Sequence, residues 1–209
     1  MTETWNQNLK GNRVNKQIST PIALSVQRTS VPTWLRSTGI VLGGSALLAV
    51  CAHASIPLWF TPVPLSLQPF GVLVLGLLLG PRMAAGTVAL YLAEGALGLP
   101  VFAPVRESIG GVAHLLGPTG GYLLAYPAAA LLISYLSRRT GRGFRMALVS
   151  AAAGDLLILT GGALWLAART HTPVGAALSL AALPFIPGDA LKVAAAAGIA
   201  SSWQRIRRK

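Results

Sequence analysis

Four ionisable side chains interrupt long apolar runs of this sequence: Glu94, Asp155, Asp189 and Lys192. A charge within a lipid bilayer is expensive, so each of them is a candidate for binding or transport. Asp189 and Lys192 are three residues apart, which places them on one face of a helix where their charges can neutralise each other. They form either a structural ion pair or the polar part of a binding site.

The other two acids occupy different depths of their runs. Glu94 follows Tyr91 by three residues and lies near the end of an apolar run, where a carboxylate either reaches water or meets a ligand. Asp155 lies deeper, and we expect it to join two helices through a hydrogen bond.

The sequence shows no catalytic set. The three histidines lack the spacing of metal ligands, and neither a nucleophile elbow nor a Walker motif is present. We therefore expect a binding or transport protein that is not an enzyme, that needs no metal or cofactor, and that cannot itself hydrolyse ATP.

The elements that position these residues are apolar helices. Of the 209 residues, 53% are hydrophobic and only 11% are charged, and the mean hydropathy of +0.61 is not that of a soluble domain. Six runs approach the length that crosses a bilayer, at about 38–56, 66–80, 83–99, 118–137, 144–168 and 187–203. We predict an all-α integral membrane protein, a bundle of six transmembrane helices with structured external loops.

The net charge of +12 fits this topology. Basic residues fall in short clusters between the apolar runs rather than in one stripe with aromatic residues, so nucleic acid is not an expected partner. With both termini in the cytoplasm, the basic clusters lie on the inner side of the cell membrane. Residues 1–33 are then a cytoplasmic, poorly ordered extension, 34–203 the membrane domain and 204–209 a basic cytoplasmic tail.

Three loops lie on the external side in this topology, at 57–65, about 100–117 and about 170–186. They combine prolines, which enforce an extended path, with paired glycines. Such loops suit a structured lid or the mouth of a pocket better than a flexible connector.

Five motifs resemble those of the BioY family, the biotin-specific S components of energy-coupling factor (ECF) transporters. They are TPVPLSLQ at 61–68, GLLLGPR at 76–82, YLAEGALGLPVF at 91–102, LLGPTGGYL at 115–123 and LPFIPGDALK at 183–192. The resemblance implies six helices, an external biotin pocket, and coupling to a transmembrane T component and two ATPase subunits, which alone use ATP. It implies as site residues Gln68, Tyr91, Asp189 and Lys192. The chain departs from the family at Ser66, where threonine is usual, and at PVRES (104–108), where the family is rich in glycine.

Biotin chemistry matches these residue types. Its ureido ring presents a carbonyl acceptor flanked by two N–H donors, so a pocket needs a donor beside a carboxylate or amide. We expect Lys192 to donate to the ureido oxygen and Asp189 to accept from one ring N–H, with Gln68 or Glu94 as the second acceptor.

The rest of biotin requires an apolar wall and an anion partner. For the wall around the thiophane ring, the candidates are the aromatic residues Tyr91, Phe102 and Tyr122. For the valerate carboxylate, the candidates are Arg106 and the backbone N–H groups of the GPTGG turn.

The first span carries small residues at close intervals, including Gly43, Ser45 and Ala49. Small residues let helices approach closely, either within the subunit or against a partner. The resemblance implies a docking face for the T component here. An S component for another vitamin, a secondary transporter and a membrane scaffold remain alternatives, although the two halves show none of the internal repeats typical of secondary transporters.

Overall fold

The structure is a computed structural model that describes residues 32–104, 110–139 and 143–206. Most of the predicted extension at 1–33, the last three residues of the predicted tail, and Arg106 lie outside these residues. The described chain forms eight helices and a two-stranded antiparallel sheet. The elements are α1 (Thr33–His53), β1 (Ser55–Ile56), β2 (Leu65–Ser66), α2 (Gln68–Leu78), α3 (Pro81–Ala96), α4 (Gly111–Leu115), α5 (Gly120–Arg139), α6 (Phe144–Thr170), α7 (Val174–Ala181) and α8 (Ile186–Ile206).

The predicted all-α membrane class is confirmed. Each of the six apolar runs corresponds to one helix of the bundle, namely α1, α2, α3, α5, α6 and α8. Within the described residues, α1, α5 and α6 are long and apolar enough to cross a membrane alone, and α7 with α8 forms a fourth candidate bent by 59°. At 11 residues, α2 rises only roughly 17 Å, less than the roughly 30 Å hydrocarbon core.

The short helices α2 and α3 form the tight hairpin that the sequence predicts. Two residues separate Leu78 from Pro81, which begins α3 at a position where its missing N–H costs no helical hydrogen bond. The hydroxyl of Ser134 on α5 donates to the carbonyl of Leu79 at 2.7 Å. The turn is therefore fixed to α5.

The helices α5 and α6 are in close contact because glycines replace side chains at their interface. A Cβ atom on Gly121 would lie 2.1 Å from the Cβ of Trp165, and one on Gly162 would lie 2.1 Å from the ring of Tyr122. Helix α5 also packs against α2 and α3, while α8 packs against α6 and α2. This arrangement encloses a space between α2, α5, α6 and the start of α8.

Candidate functional site

Asp189 and Lys192 form a buried ion pair at the start of α8. The Lys192 ammonium donates to Asp189 Oδ1 at 2.8 Å, and the two side chains are 10% and 4% exposed. Helix α8 begins at Ile186, and the backbone N–H of Asp189 donates to the carbonyl of Phe185 at 2.8 Å. The predicted proximity is thus present, and among the described residues neither side chain makes a second hydrogen bond.

The ion pair faces a cavity, which we call the inner cavity. Its empty volume, which includes space open to solvent, is about 510 Å³. Gln68, Tyr122, Asp189 and Lys192 are the predicted site residues that line it. The other described lining residues are Val63, Pro64, Ser66, Pro69, Ala103, His114, Thr119, Leu123, Tyr126, Ile158, Leu159 and Phe185.

Gln68 is held in place by Tyr91, which lies behind it. The Gln68 amide nitrogen donates to the Tyr91 hydroxyl, and that hydroxyl donates to the carbonyl of Val101 at 2.9 Å. Tyr91 is fully buried and does not line the inner cavity. Because its nitrogen is engaged, Gln68 presents its amide oxygen as an acceptor, with only a long 3.5 Å contact from the Ser66 hydroxyl.

Phe102 and His114 stack behind and beside the cavity. The Phe102 ring meets Tyr91 edge-on, with centroids 5.5 Å apart, and lies 4.8 Å from the His114 ring. Of the three, only His114 lines the cavity, so Tyr91 and Phe102 support the wall rather than form its surface. Burial lowers the pKa of the His114 imidazole, which favours its neutral form.

Tyr122 and Tyr126 provide the aromatic surface on the α5 side. The Tyr122 hydroxyl donates to the carbonyl of Ala181, which ties α5 to the end of α7. Tyr126 lies one helical turn further along α5 and also lines the cavity. The four-residue spacing of the two tyrosines was a signal for Tyr126, since it places both on one helix face.

Glu94 belongs to another part of the bundle. Its carboxylate accepts a hydrogen bond from the hydroxyl of Ser45 and so joins α3 to α1. Glu94 is absent from the described lining of the inner cavity, whereas Gln68, the other residue predicted as the second acceptor, lines it. The pairing also corrects the prediction for Ser45, because a side chain 1% exposed and bonded within the subunit cannot lie on a docking surface.

Asp155 does not form the interhelical hydrogen bond through Oδ1. This oxygen is buried and has no hydrogen-bond partner among the residues that the structure describes. Asp155 lies on α6 three and four residues before Ile158 and Leu159, which line the inner cavity. It therefore lies about one turn from these lining residues, on the side of the amino-terminal end of α6.

A second and larger space, the outer cavity, opens beside the inner one. Its empty volume is about 2060 Å³ including open solvent, and it shares Pro64, His114 and Thr119 with the inner cavity. Loop residues 55–64 form one side, and residues 113–119 face them with Arg169 at the end of α6. Two of the three loops predicted as external, 57–65 and about 100–117, thus line this cavity, and the described residues of the loop at about 170–186 do not.

The comparisons with known proteins agree with this architecture. A family model described as "BioY family" matches residues 19–209. The chain belongs to the BioY family. The probable biotin transporter BioY of Pyrococcus horikoshii is 40% identical to this BioY-family chain over 159 residues, which cover 76% of this chain and 90% of that protein. The biotin transporter BioY of Thermotoga maritima is 38% identical over 162 residues, covering 78% and 92%.

A solved structure is also similar to this BioY-family chain. It is described as the S-component for biotin from an ECF-type ABC transporter, and it covers 86% of this chain and 96% of its own. The TM-score is 0.75 and the sequence identity is 28%. The resemblance drawn from the five motifs is therefore confirmed.

Three of the BioY-type motifs meet at the inner cavity. The motif at 61–68 contributes Ser66 and Gln68, the motif at 115–123 contributes Thr119 and Tyr122, and the motif at 183–192 contributes the ion pair. The motif at 91–102 supports this surface from behind through Tyr91. Segments far apart in the sequence are thus gathered around one cavity.

Proposed function

We propose that this chain captures biotin in the inner cavity and delivers it across the cell membrane as the S component of an ECF-type importer. The observation that carries the proposal is the buried Asp189–Lys192 pair, which faces the inner cavity beside Gln68. The names of the relatives and of the similar structure support biotin as the ligand.

The polar groups of the cavity complement the ureido ring. Lys192 donates to the ureido oxygen and Asp189 accepts from one ring N–H. The Gln68 amide oxygen accepts from the other N–H, because Tyr91 occupies the amide nitrogen. Tyr122, Tyr126 and Phe185 then surround the thiophane ring with aromatic surface.

The partners are a transmembrane T component and two ATPase subunits, and the chain itself performs no catalysis. Both termini lie in the cytoplasm, as the positions of the basic clusters indicate. For docking, the outer face of α1 is the surface we propose. Its exposed residues recur at intervals of three and four: Gly39, Leu42, Gly43, Ala46, Leu47 and Val50.

The three residues predicted for docking, Gly43, Ser45 and Ala49, differ in their exposure on α1. Gly43 is exposed, and no atom lies within 4 Å of the position of a Cβ on it. Ala49 is half-buried against the core of the subunit, and Ser45 is buried. Gly43 is therefore the residue at which a larger side chain reaches the surface without disturbing the subunit.

Replacing Gly43 by leucine should abolish copurification of the T component and leave biotin affinity unchanged, because the added side chain blocks only close approach of another helix. The measurement is affinity purification of the tagged chain from cells that express the complete transporter. Gly198→Leu on α8 is the matched control, since no atom lies within 4 Å of that position either. If Gly43→Leu recovers as much T component as Gly198→Leu and the wild type do, docking at Gly43 is contradicted.

Uptake tests the function as a whole. Cells that lack biotin transport and express this chain with its T component and ATPases should accumulate labelled biotin, and Lys192→Met should abolish the accumulation at equal membrane expression. Uptake of labelled thiamine or riboflavin in place of biotin would identify an S component for another vitamin. Accumulation that persists without the ATPases would instead indicate a secondary transporter.

A further inference from the structure

Thr119 lies where the inner and outer cavities meet, since it lines both. Its hydroxyl oxygen is shielded from solvent and has no hydrogen-bond partner within the described residues. Leaving a buried hydroxyl without a hydrogen bond costs free energy. We therefore expect a group outside the protein to form a hydrogen bond with the Thr119 hydroxyl. The junction of the cavities is where a ligand seated on the ion pair extends toward the outside.

Arg169 is the second component of this junction. One turn earlier on α6, the indole N–H of Trp165 donates to the carbonyl of Gly117 at 2.9 Å. Residues four apart lie on the same face of a helix, so Arg169 lies on the face of α6 that carries this contact. Arg169 lines the outer cavity and is exposed, and the described chain offers it no ion pair.

The charges of the two cavities differ. In the inner cavity the ammonium and the carboxylate neutralise each other. The described lining of the outer cavity contains Arg169 and no acidic residue. The described part of the outer cavity therefore carries a positive charge and suits an anion, with the guanidinium as the long-range attraction and the hydroxyl as a directional donor.

We propose that the Arg169 guanidinium and the Thr119 hydroxyl form a subsite for the carboxylate at the end of the ligand's tail. The inference rests on the proposed function, because it requires the ureido ring to lie at the ion pair. It assigns the selection of an anionic tail to the outer cavity and the selection of the ring to the inner one. Neutral-tailed analogues should then bind without using the guanidinium.

The test compares biotin with biotinol, whose tail ends in an uncharged alcohol, by calorimetry on the purified full-length chain. Arg169→Gln should weaken biotin roughly tenfold, as expected for loss of a charge-assisted hydrogen bond, and leave biotinol unchanged. Raising the ionic strength should weaken biotin binding to the wild type more than to the variant. Arg145→Gln, at the opposite end of α6, is the matched control and should alter neither ligand.

Thr119 is tested with a pair of substitutions. Thr119→Val removes the hydroxyl and keeps the shape, so biotin affinity should fall severalfold while the unfolding temperature without ligand stays equal or rises. Thr119→Ser should retain biotin affinity. Equal losses for biotin and biotinol in Arg169→Gln, or no loss in either variant, would overturn the subsite. A folded wild type that binds neither ligand would overturn the proposed function itself, and with it the subsite.

Discussion

Replacing Lys192 by methionine is expected to lower biotin affinity at least about 30-fold. The substitution removes the donor to the ureido oxygen and leaves Asp189 as a buried carboxylate without its partner at 2.8 Å. Losing one member of a buried, hydrogen-bonded charge pair costs about 2 to 5 kcal/mol, and each 1.4 kcal/mol is about a factor of ten in affinity. Calorimetry on the purified variant measures the loss.

The double variant Asp189→Asn with Lys192→Met separates recognition from folding. It removes both charges, so the unfolding temperature should recover relative to Lys192→Met alone, because no uncompensated charge remains buried. Biotin affinity should not recover, since the asparagine lacks a negative charge and the methionine cannot donate. A double variant that binds biotin like the wild type would show that the pair is only structural.

Replacing Gly121 by alanine is expected to destabilise the bundle and to deform the inner cavity. The new methyl group would lie 2.1 Å from the Cβ of Trp165 and 2.6 Å from the carbonyl oxygen of Gly161. Because these atoms belong to the backbone of α6 or are attached directly to it, the helices must separate. Overpacking of this kind costs about 1 to 3 kcal/mol, and occasionally more.

Scanning fluorimetry of unfolding in detergent measures this loss of stability. Biotin affinity should also fall, because Tyr122 on α5 and Ile158 on α6 both line the inner cavity. Gly198→Ala is the control, because no atom lies within 4 Å of the added Cβ. It should be neutral or stabilise α8 by up to about 1 kcal/mol, since alanine favours a helix over glycine. An unfolding temperature equal to the wild type for Gly121→Ala would contradict the close packing of α5 on α6.

The sequence predicts the parts of this structure that follow from local spacing. Apolar runs between basic clusters locate six helices, and Pro81 between two short runs predicts the α2–α3 hairpin. The separation of three residues places Asp189 beside Lys192 on any helix, and the structure shows that pair. Such features depend on helical geometry alone.

Contacts between distant segments could not be predicted in this way. Ser45 and Glu94 are 49 residues apart, and nothing in their local sequences shows that α1 and α3 place them together. Tyr91 lies in a recognisable motif, but only the packing of α2 on the bundle places it behind Gln68 rather than in the cavity. His114 lacks the spacing of a metal ligand and lines the wall for a different reason, its position on α4.

The glycines of the PTGG segment predict a close contact, but the residue types alone do not identify its partner. These glycines indicate close approach of another backbone, which the structure shows as the contact with Trp165. That contact holds α6 against this turn, and Arg169 at the end of α6 lines the outer cavity. A basic residue at the end of an apolar span otherwise has the ordinary role of an interfacial anchor.

The most direct test of biotin capture is calorimetry on the purified, detergent-solubilised chain, titrated with biotin and, in parallel, with desthiobiotin, thiamine and riboflavin. We predict tight binding of one biotin per chain, with no detectable heat from thiamine or riboflavin. A folded sample with a cooperative unfolding transition that binds no biotin, or that binds another vitamin more tightly, would contradict the assignment of the inner cavity to biotin.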